Sequence, residues 1–499
     1  MSPVTLLHRP DAARTAASVP FRDTDGPALI WRGRSVTYRD LRDRVEAARL
    51  DLEARGLSDV GTAAVEARKD PGTIALIGAM RACGVAVLVL PRGLGAEARA
   101  AVCARAGAGI ELFAGPDGVE TRALSESPAP GGPPDGGAAR AAVEPAAFVL
   151  TTSGSTGIPK GVRLPPDAVA RFSAWARDAF EIGPGVRVLS YAPLNFDLSL
   201  LEVWATLDAG GTAILVEPDQ AADAAALIRL VADEAPDVLQ GVPLLYKLLD
   251  QAPVGAFADA RHVIVTGEHA PRSLRERMRA HFPMARFHNV YGSTETNDSF
   301  VFSCDGDVFA ALERLPIGAP ISGTRHRIVA EDGADLVGAG VGELHTATPF
   351  AALGYTDPAL TAAAFYAREE GEARCWYYRT GDVVERDEAG AIHLVGRRDF
   401  IVKVRGVRTN LKDVEAALEA HPDVELAVVC PVTDEAGETA LHGVVQTRVG
   451  TRVSTLALRQ LCAARLPRTA IPGRFTVTDR PLPRTSTGKP DRKQVAATL

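Results

Sequence analysis

The chain has 499 residues, 46% of them hydrophobic and 23% charged, with a formal net charge of −7. These are the proportions of a folded globular protein, and the length suggests roughly three domain-sized units. No region is strongly basic, which argues against a broad nucleic-acid footprint, and no apolar run is long enough to span a bilayer.

The opening segment, MSPVTLLHRPDAARTAAS, has no sustained apolar stretch of the signal-peptide type. From Val36, VTYRDLRDRVEAARLDLEARGL carries apolar residues at helical spacing, followed by the shorter apolar runs IALIGAM and VAVLVLP. Alternating helical and strand-like patterns predict layered α/β structure. Residues 115–145 turn rich in Pro, Gly and Ala, the composition of a flexible surface connection without function of its own. FVL (148–150) then reads as a short buried strand.

It leads into TTSGSTGIPKG (151–161). A phosphate loop of the G-x-x-x-x-G-K-[ST] kind needs a second glycine and a hydroxyl residue after the lysine. Counting from Gly154, Pro159 takes the place of that glycine, and Gly161 follows Lys160. This is therefore a different loop, although its glycines, hydroxyls and single lysine suit a mobile clamp on polyphosphate.

Downstream, VRVLSYAP, GTAILVEP, DVLQGVP and HVIVTG recur as strand-like runs between helix-compatible segments. That rhythm predicts a largely parallel sheet covered by helices, with ligand sites at the strand ends. From about Gly396 the units shorten to DFIVKVRG, a helix around LKDVEAALEAH, then ELAVVCPV and LHGVVQTRV. A small α+β domain is expected to begin near Asp399, giving a large α/β domain over 1–398 and a small mobile one over 399–499. Cys83, Cys103, Cys304, Cys375, Cys430 and Cys462 are scattered, with no C-x-x-C pair and no clustered histidines. Reduced thiols are expected rather than a zinc site or disulfide framework, and a cytoplasmic location is the default.

Five further segments join the loop in order: NFDLSL (195–200), VYGSTETND (290–298), YYRTGD (377–382), GRRDFIVKVRGVR (396–408) and PLPRTSTGKPDRK (481–493). Together with VTYRDL and LPRTAIPGRF, they resemble the adenylate-forming superfamily of acyl-CoA synthetases, luciferases and nonribosomal-peptide adenylation domains. The resemblance implies attack of a carboxylate on the α-phosphate of ATP, giving an acyl-adenylate and pyrophosphate with Mg2+ as cofactor. A carboxylate is already ionised at neutral pH, so the tasks are relief of charge repulsion and in-line positioning.

By that resemblance Thr152, Ser153, Gly154, Ser155, Thr156, Gly157 and Lys160 grip the β- and γ-phosphates. Tyr291 stacks on adenine within a nucleotide site that takes in Gly267, Glu268, Asn289 and Gly292. Thr294 contacts phosphate, Glu295 is the magnesium ligand, and Asp382 and Arg397 lie against the ribose. Lys489 is implied as the catalytic lysine bridging the substrate carboxylate and the α-phosphate. Asp399 takes the hinge position, and Lys403 and Gly406 belong to the strand-turn that replaces the lysine for thioester formation, where Gly406 lines a pantetheine tunnel.

NFDLSL bears on which acid is activated. In amino-acid-activating members an FD-x-S motif sets the aspartate against the substrate α-ammonium, and Asp197 fits, with Phe196 before it and Ser199 after it. The other reading of Asp197 is a helix N-cap, since LSLLEVWATL follows. The acid pocket is expected to include Leu198, Leu201, Leu245 or its neighbour Leu244, Ile264, Thr266, Val290, Asp298 and Ser299. Asp298 is the exception among mostly apolar positions: it recognises a second amine, a hydroxyl or a displaced amino group, or it faces solvent. Ser293, Thr266 and Asn410 depart from the family's usual proline, glycine and glutamate. No carrier-domain signature is evident, so the expected enzyme is free-standing, loading a small amino acid onto a separate phosphopantetheinylated carrier protein. The alternatives are a ligase joining a small acid to coenzyme A and a catalytically idle nucleotide- or partner-binding protein.

Overall fold

The computed structural model describes residues 21, 25–116, 118–124, 146–152, 159–371, 373–404, 407–433, 439–466, 470–485 and 489–499. The chain divides into two compact units, Met1–Arg327 with His345–Thr380, and Ile328–Leu344 with Gly381–Leu499.

The first unit contains two sheets with helices. One has seven strands, in the order Gly354–Tyr355, Lys160–Leu164, Phe148–Thr152, Ala86–Leu90, Thr62–Glu66, Ile110–Gly115 and Gly118–Ala123. Phe148–Thr152 through Ile110–Gly115 run parallel. Ala86–Leu90 is buried at every position, as a central strand covered on both faces requires. The neighbouring IALIGAM forms part of a helix, Pro71–Ala82, because Asp70 caps it (Thr73 N–H to Oδ1, 2.8 Å) and Pro71 sits where no amide is needed. The predicted helix from Val36 spans Tyr38–Ala54 and starts at a reciprocal box in which Thr37 and Asp40 cap one another.

The proline- and glycine-rich stretch is not connection throughout. Gly118–Ala123 forms a hairpin with Ile110–Gly115, since the Val and Thr of GVETRA suit a strand. The remainder, 125–145, lies outside the described residues.

The second sheet of this unit has nine strands. Its parallel run is Arg286–Ser293, His262–Thr266, Val238–Gly241, Arg187–Ser190, Thr212–Leu215 and Pro27–Trp31, with antiparallel strands at both edges. All four strand-like runs read from the sequence lie in that run. LLEVWA is a π-helical stretch, Leu200–Ala205, continued by the α-turn Thr206–Ala209, and Trp204 packs on Phe148 at 5.4 Å. Inside it Glu202 is fully buried and accepts the Ala192 amide. Desolvation pushes its carboxyl up to about 8 and brings the nearby Lys69 ammonium down to about 8.

The second unit is α+β. Val424–Thr433, Thr439–Thr447 and Arg474–Thr478 form one of its sheets, preceded by the hairpin Ile401–Val404/Val407–Asn410, and residues 382–386 pair antiparallel with Ile392–Arg397. The helices Leu411–Glu419 and Thr455–Arg465 bury Val414, Leu418 and Leu458 against Val429 and Val445. Among the described residues no helix is long and apolar enough to cross a membrane. All six cysteines are free thiols.

Candidate active site

The segment STETN forms a hairpin tip. Strands Arg286–Ser293 and Asn297–Cys304 pair as Gly292↔Asp298 and Ser293↔Asn297, leaving Thr294, Glu295 and Thr296 as the loop. Asn297 closes it with φ +54°, the left-handed conformation that asparagine tolerates best among non-glycine residues. A Cβ at Gly292 would lie 2.3 Å from the Asn297 carbonyl oxygen, so the tip also demands that glycine. The Ser299 hydroxyl donates to Thr296 Oγ1 at 3.2 Å, and the Thr348 hydroxyl donates to the Thr296 carbonyl at 2.7 Å. Thr294 and Glu295 are thereby held as buried polar side chains on a fixed turn.

NFDLSL reaches this tip. Asp197 Oδ2 accepts the Thr294 hydroxyl at 2.8 Å, and its Oδ1 accepts the Leu198 amide at 3.0 Å. The helical stretch begins at Leu200 behind Ser199, so the Asp197 carboxylate is turned to Thr294 rather than onto a helix N-terminus. Phe196, Asp197 and Leu198 are half-buried in otherwise buried surroundings. Asp298 is also half-buried; burial and the nearby Asp197 carboxylate push its carboxyl up to about 8.

The glycine-rich loop springs from a second hairpin. Phe148–Thr152 and Lys160–Leu164 pair up to Thr152↔Lys160, which fixes both ends of the loop. Ser153, Gly154, Ser155, Thr156 and Gly157 lie outside the described residues. At its base the Asn195 amide donates to Thr151 Oγ1 at 3.4 Å, tying NFDLSL to the loop. The exit strand pairs with Gly354–Tyr355, matching Tyr355 with Val162. Tyr355 then donates its hydroxyl to Glu295 Oε1 at 2.6 Å, and Lys160 Nζ lies 5.3 Å from the centre of its ring. Burial and the carboxylate push this phenol far up, so it keeps its proton.

Several pocket candidates stand at the carboxyl ends of parallel strands, where such sheets bind ligands. Thr266 and Val290 are register partners, and Ile264 lies two residues earlier. Ser299 is fully buried beneath the tip. Leu201 and Leu245 are fully buried in the two hydrophobic cores of the unit, Leu245 against Gly241. Gln240, buried in an apolar strand, donates to the Leu198 carbonyl at 3.1 Å and so props the segment bearing Asp197. Of the nucleotide-site candidates, Tyr291 is half-buried with its ring edge-on to Phe300. Asn289 donates to the Pro316 carbonyl at 2.7 Å. Gly267 follows the strand His262–Thr266 at φ +78° beside half-buried Glu268.

In the second unit, Asp382 and Arg397 are cross-strand partners joined at 3.1 Å (Nη1 to Oδ1), with the aspartate buried. Asp399 lies in the short turn of helix Arg398–Phe400 and Lys403 in the strand Ile401–Val404, while Gly406 is outside the described residues. Asn410 caps the helix Leu411–Glu419 by accepting the Lys412 amide and donates to the Val395 carbonyl at 2.6 Å. Lys489 is half-buried, and its carbonyl accepts the Thr485 amide at 2.7 Å. The segment after it is anchored by Arg492, which pairs with buried Glu415, donates to the Val429 carbonyl at 3.0 Å and lies over Phe400.

The AMP-binding enzyme family matches residues 18–356, and the AMP-binding enzyme C-terminal domain matches residues 413–489. The chain belongs to the AMP-binding enzyme family. It spans about two fifths of the length of the first curated relatives it matches. It is 32% identical over 495 residues to phenyloxazoline synthase from Mycobacterium sp. (strain MCS), covering 97% of this chain but 41% of that one. It is 33% identical over 353 residues to an L-proline–[L-prolyl-carrier protein] ligase of Pseudomonas fluorescens (strain ATCC BAA-477), covering 70% of this chain and 68% of that one. Its fold matches a four-domain nonribosomal peptide synthetase bound to AMP and glycine, with a TM-score of 0.77 at 24% identity, over 94% of this chain and 35% of that one.

Proposed function

We propose that this AMP-binding enzyme uses ATP to activate an amino acid as its aminoacyl-adenylate and then passes it as a thioester to the phosphopantetheine arm of a separate carrier protein. The observation that carries this reading is the setting of Asp197, whose carboxylate is fixed by Thr294 on the tip beside Glu295, with Asp298 close by. An ammonium group is a ligand that compensates the Asp197 carboxylate and favours ionisation of Asp298, whereas an apolar acyl chain would leave Asp197 desolvated and uncompensated.

In this reading Lys160 and the loop ahead of it hold the pyrophosphate end of ATP, Tyr291 stacks on adenine, and Asp382 with Arg397 receives the ribose. Glu295 suits Mg2+: its carboxylate is buried, with one oxygen fixed by Tyr355. No group of three or more His, Cys, Asp or Glu side chains suited to a metal occurs among the described residues. That donor set suits an ion held by one carboxylate together with substrate phosphates. When bound, the ion neutralises phosphate charge. Lys489 supplies the cation that brings substrate carboxylate and α-phosphate together. The smaller domain, taken from Asp399, then turns so that Lys403 and Gly406 replace it for thioester formation.

ATP–pyrophosphate exchange with a panel of amino acids and nitrogen-free acids tests the proposal. Exchange confined to amino acids is expected, followed by a mass gain on a phosphopantetheinylated carrier. Exchange with a nitrogen-free acid and release of an acyl-CoA would replace the reading with coenzyme A ligation, and no exchange at all would remove catalysis from it.

A further inference from the structure

We infer that Tyr355 is a positioning residue that sets the Glu295 carboxylate for the metal and links it to the phosphate-gripping lysine. The inference rests on the roles proposed above for Glu295 and Lys160. Three contacts converge on this one side chain. Its hydroxyl donates to Glu295 Oε1 at 2.6 Å, its ring face receives Lys160 Nζ at 5.3 Å, and its hydroxyl lies 3.4 Å from that of Tyr378. A phenol has one proton, and that of Tyr355 goes to Glu295, with the Tyr378 hydroxyl beside it. These contacts engage Oε1 and so fix the orientation of the Glu295 carboxylate. A ligating carboxylate is commonly fixed in this way by a neighbour's hydrogen bond.

The backbone around Tyr355 makes the arrangement rigid. Its amide donates to Thr361 Oγ1 at 2.9 Å, the Thr356 amide donates to the Gly161 carbonyl at 2.8 Å, and the Ala352 amide donates to the Glu295 carbonyl at 2.8 Å. One short strand therefore fastens both the exit of the glycine-rich loop and the tip bearing Glu295. The space at the loop exit is filled as well: a Cβ at Gly161 would lie 2.8 Å from the Thr356 side chain. A cation over an aromatic face is held more weakly than in an ion pair, so Lys160 is kept near its place yet remains available to phosphate.

The two functions of the side chain separate by substitution. Tyr355→Phe keeps the ring beneath Lys160 and removes the hydroxyl, whereas Tyr355→Leu removes both. The readout is Mn2+ affinity of the enzyme with α,β-methylene-ATP, followed by electron paramagnetic resonance, alongside KM for ATP at saturating Mg2+ in the exchange assay. Tyr355→Phe is expected to weaken Mn2+ binding about tenfold or more with KM for ATP unchanged. Tyr355→Leu should add a rise in KM for ATP. Circular dichroism of Tyr355→Phe should match the parent, and its thermal midpoint should fall by only a few degrees, the cost of one lost hydrogen bond to a buried carboxylate.

Glu295→Gln separates the inference from the reading beneath it. If Glu295→Gln weakens Mn2+ binding while Tyr355→Phe leaves it at the parental value, the positioning role is overturned. If Glu295→Gln also leaves Mn2+ binding unchanged, the assignment of Glu295 as ligand is what fails.

Discussion

Asp298→Asn gives the sharpest test of the ammonium site. In the free enzyme the Asp298 carboxyl is pushed up to about 8 by burial and by Asp197. At pH 7 a group of that pKa is about 0.9 protonated. A bound ammonium favours the ionised form and lowers a carboxyl by about 1–3 units. With a drop of about two units, amino-acid binding releases about 0.8 proton at pH 7 and about 0.1 at pH 9. The sign follows from the raised pKa: the proton is held in the free enzyme and leaves on binding, so affinity rises with pH through about 8. Between pH 6.5 and 8.5 the gain is about twentyfold, relative to a variant that shares every other titration. Calorimetry in buffers of differing ionisation enthalpy reads the proton count directly, using the amino acid that supports exchange. The Asn variant should release no such proton and show a flat relative affinity. Equal proton release by the parent and the Asn variant at pH 7 would refute the placement of the substrate amine beside Asp298.

Two further predictions concern the second unit. Lys489→Ala should nearly abolish adenylation, read by pyrophosphate exchange, while thioester formation from preformed adenylate stays close to the parental rate; an unchanged exchange rate would remove the assignment. Arg492→Ala leaves buried Glu415 with Lys412 and the Val429 amide as partners and should destabilise the unit by about 1.5–3 kcal/mol, the worth of a hydrogen bond to a charged group. Amide exchange in the helix Leu411–Glu419 and the strand Val424–Thr433 should accelerate accordingly, and Arg492→Lys should recover part of the protection. Protection unchanged in Arg492→Ala would mean that this pair does not anchor the segment after Lys489.

The regular elements were legible because their signals are local. Thr37 and Asp40 announce a capped helix, and short apolar runs such as HVIVT announce buried parallel strands. GVETRA was submerged in a proline- and glycine-rich background, although its own β-branched residues suit a strand. In the candidate site, the motifs singled out Asp197, Thr294 and Glu295, but no periodicity says that Asp197 and Thr294 meet across nearly a hundred positions; the fold makes that contact. Gln240 did leave a trace, as the one amide in an otherwise apolar buried strand. Tyr355 left none, because an aromatic after glycine in LGYTDP is ordinary core material until its hydroxyl is seen to reach Glu295.

The central claim is that Asp197 makes this an amino-acid-activating enzyme. The most direct measurement compares exchange kcat/KM for the amino acid that supports exchange with that for the same carbon skeleton lacking its amino group, in the parent and in Asp197→Ala. A buried ion pair that loses one partner costs about 3–5 kcal/mol, so the parent should favour the amino acid by about a hundredfold or more, and Asp197→Ala should lose most of that preference. Equal use of the two acids by the parent, or an undiminished preference in Asp197→Ala, would contradict the account.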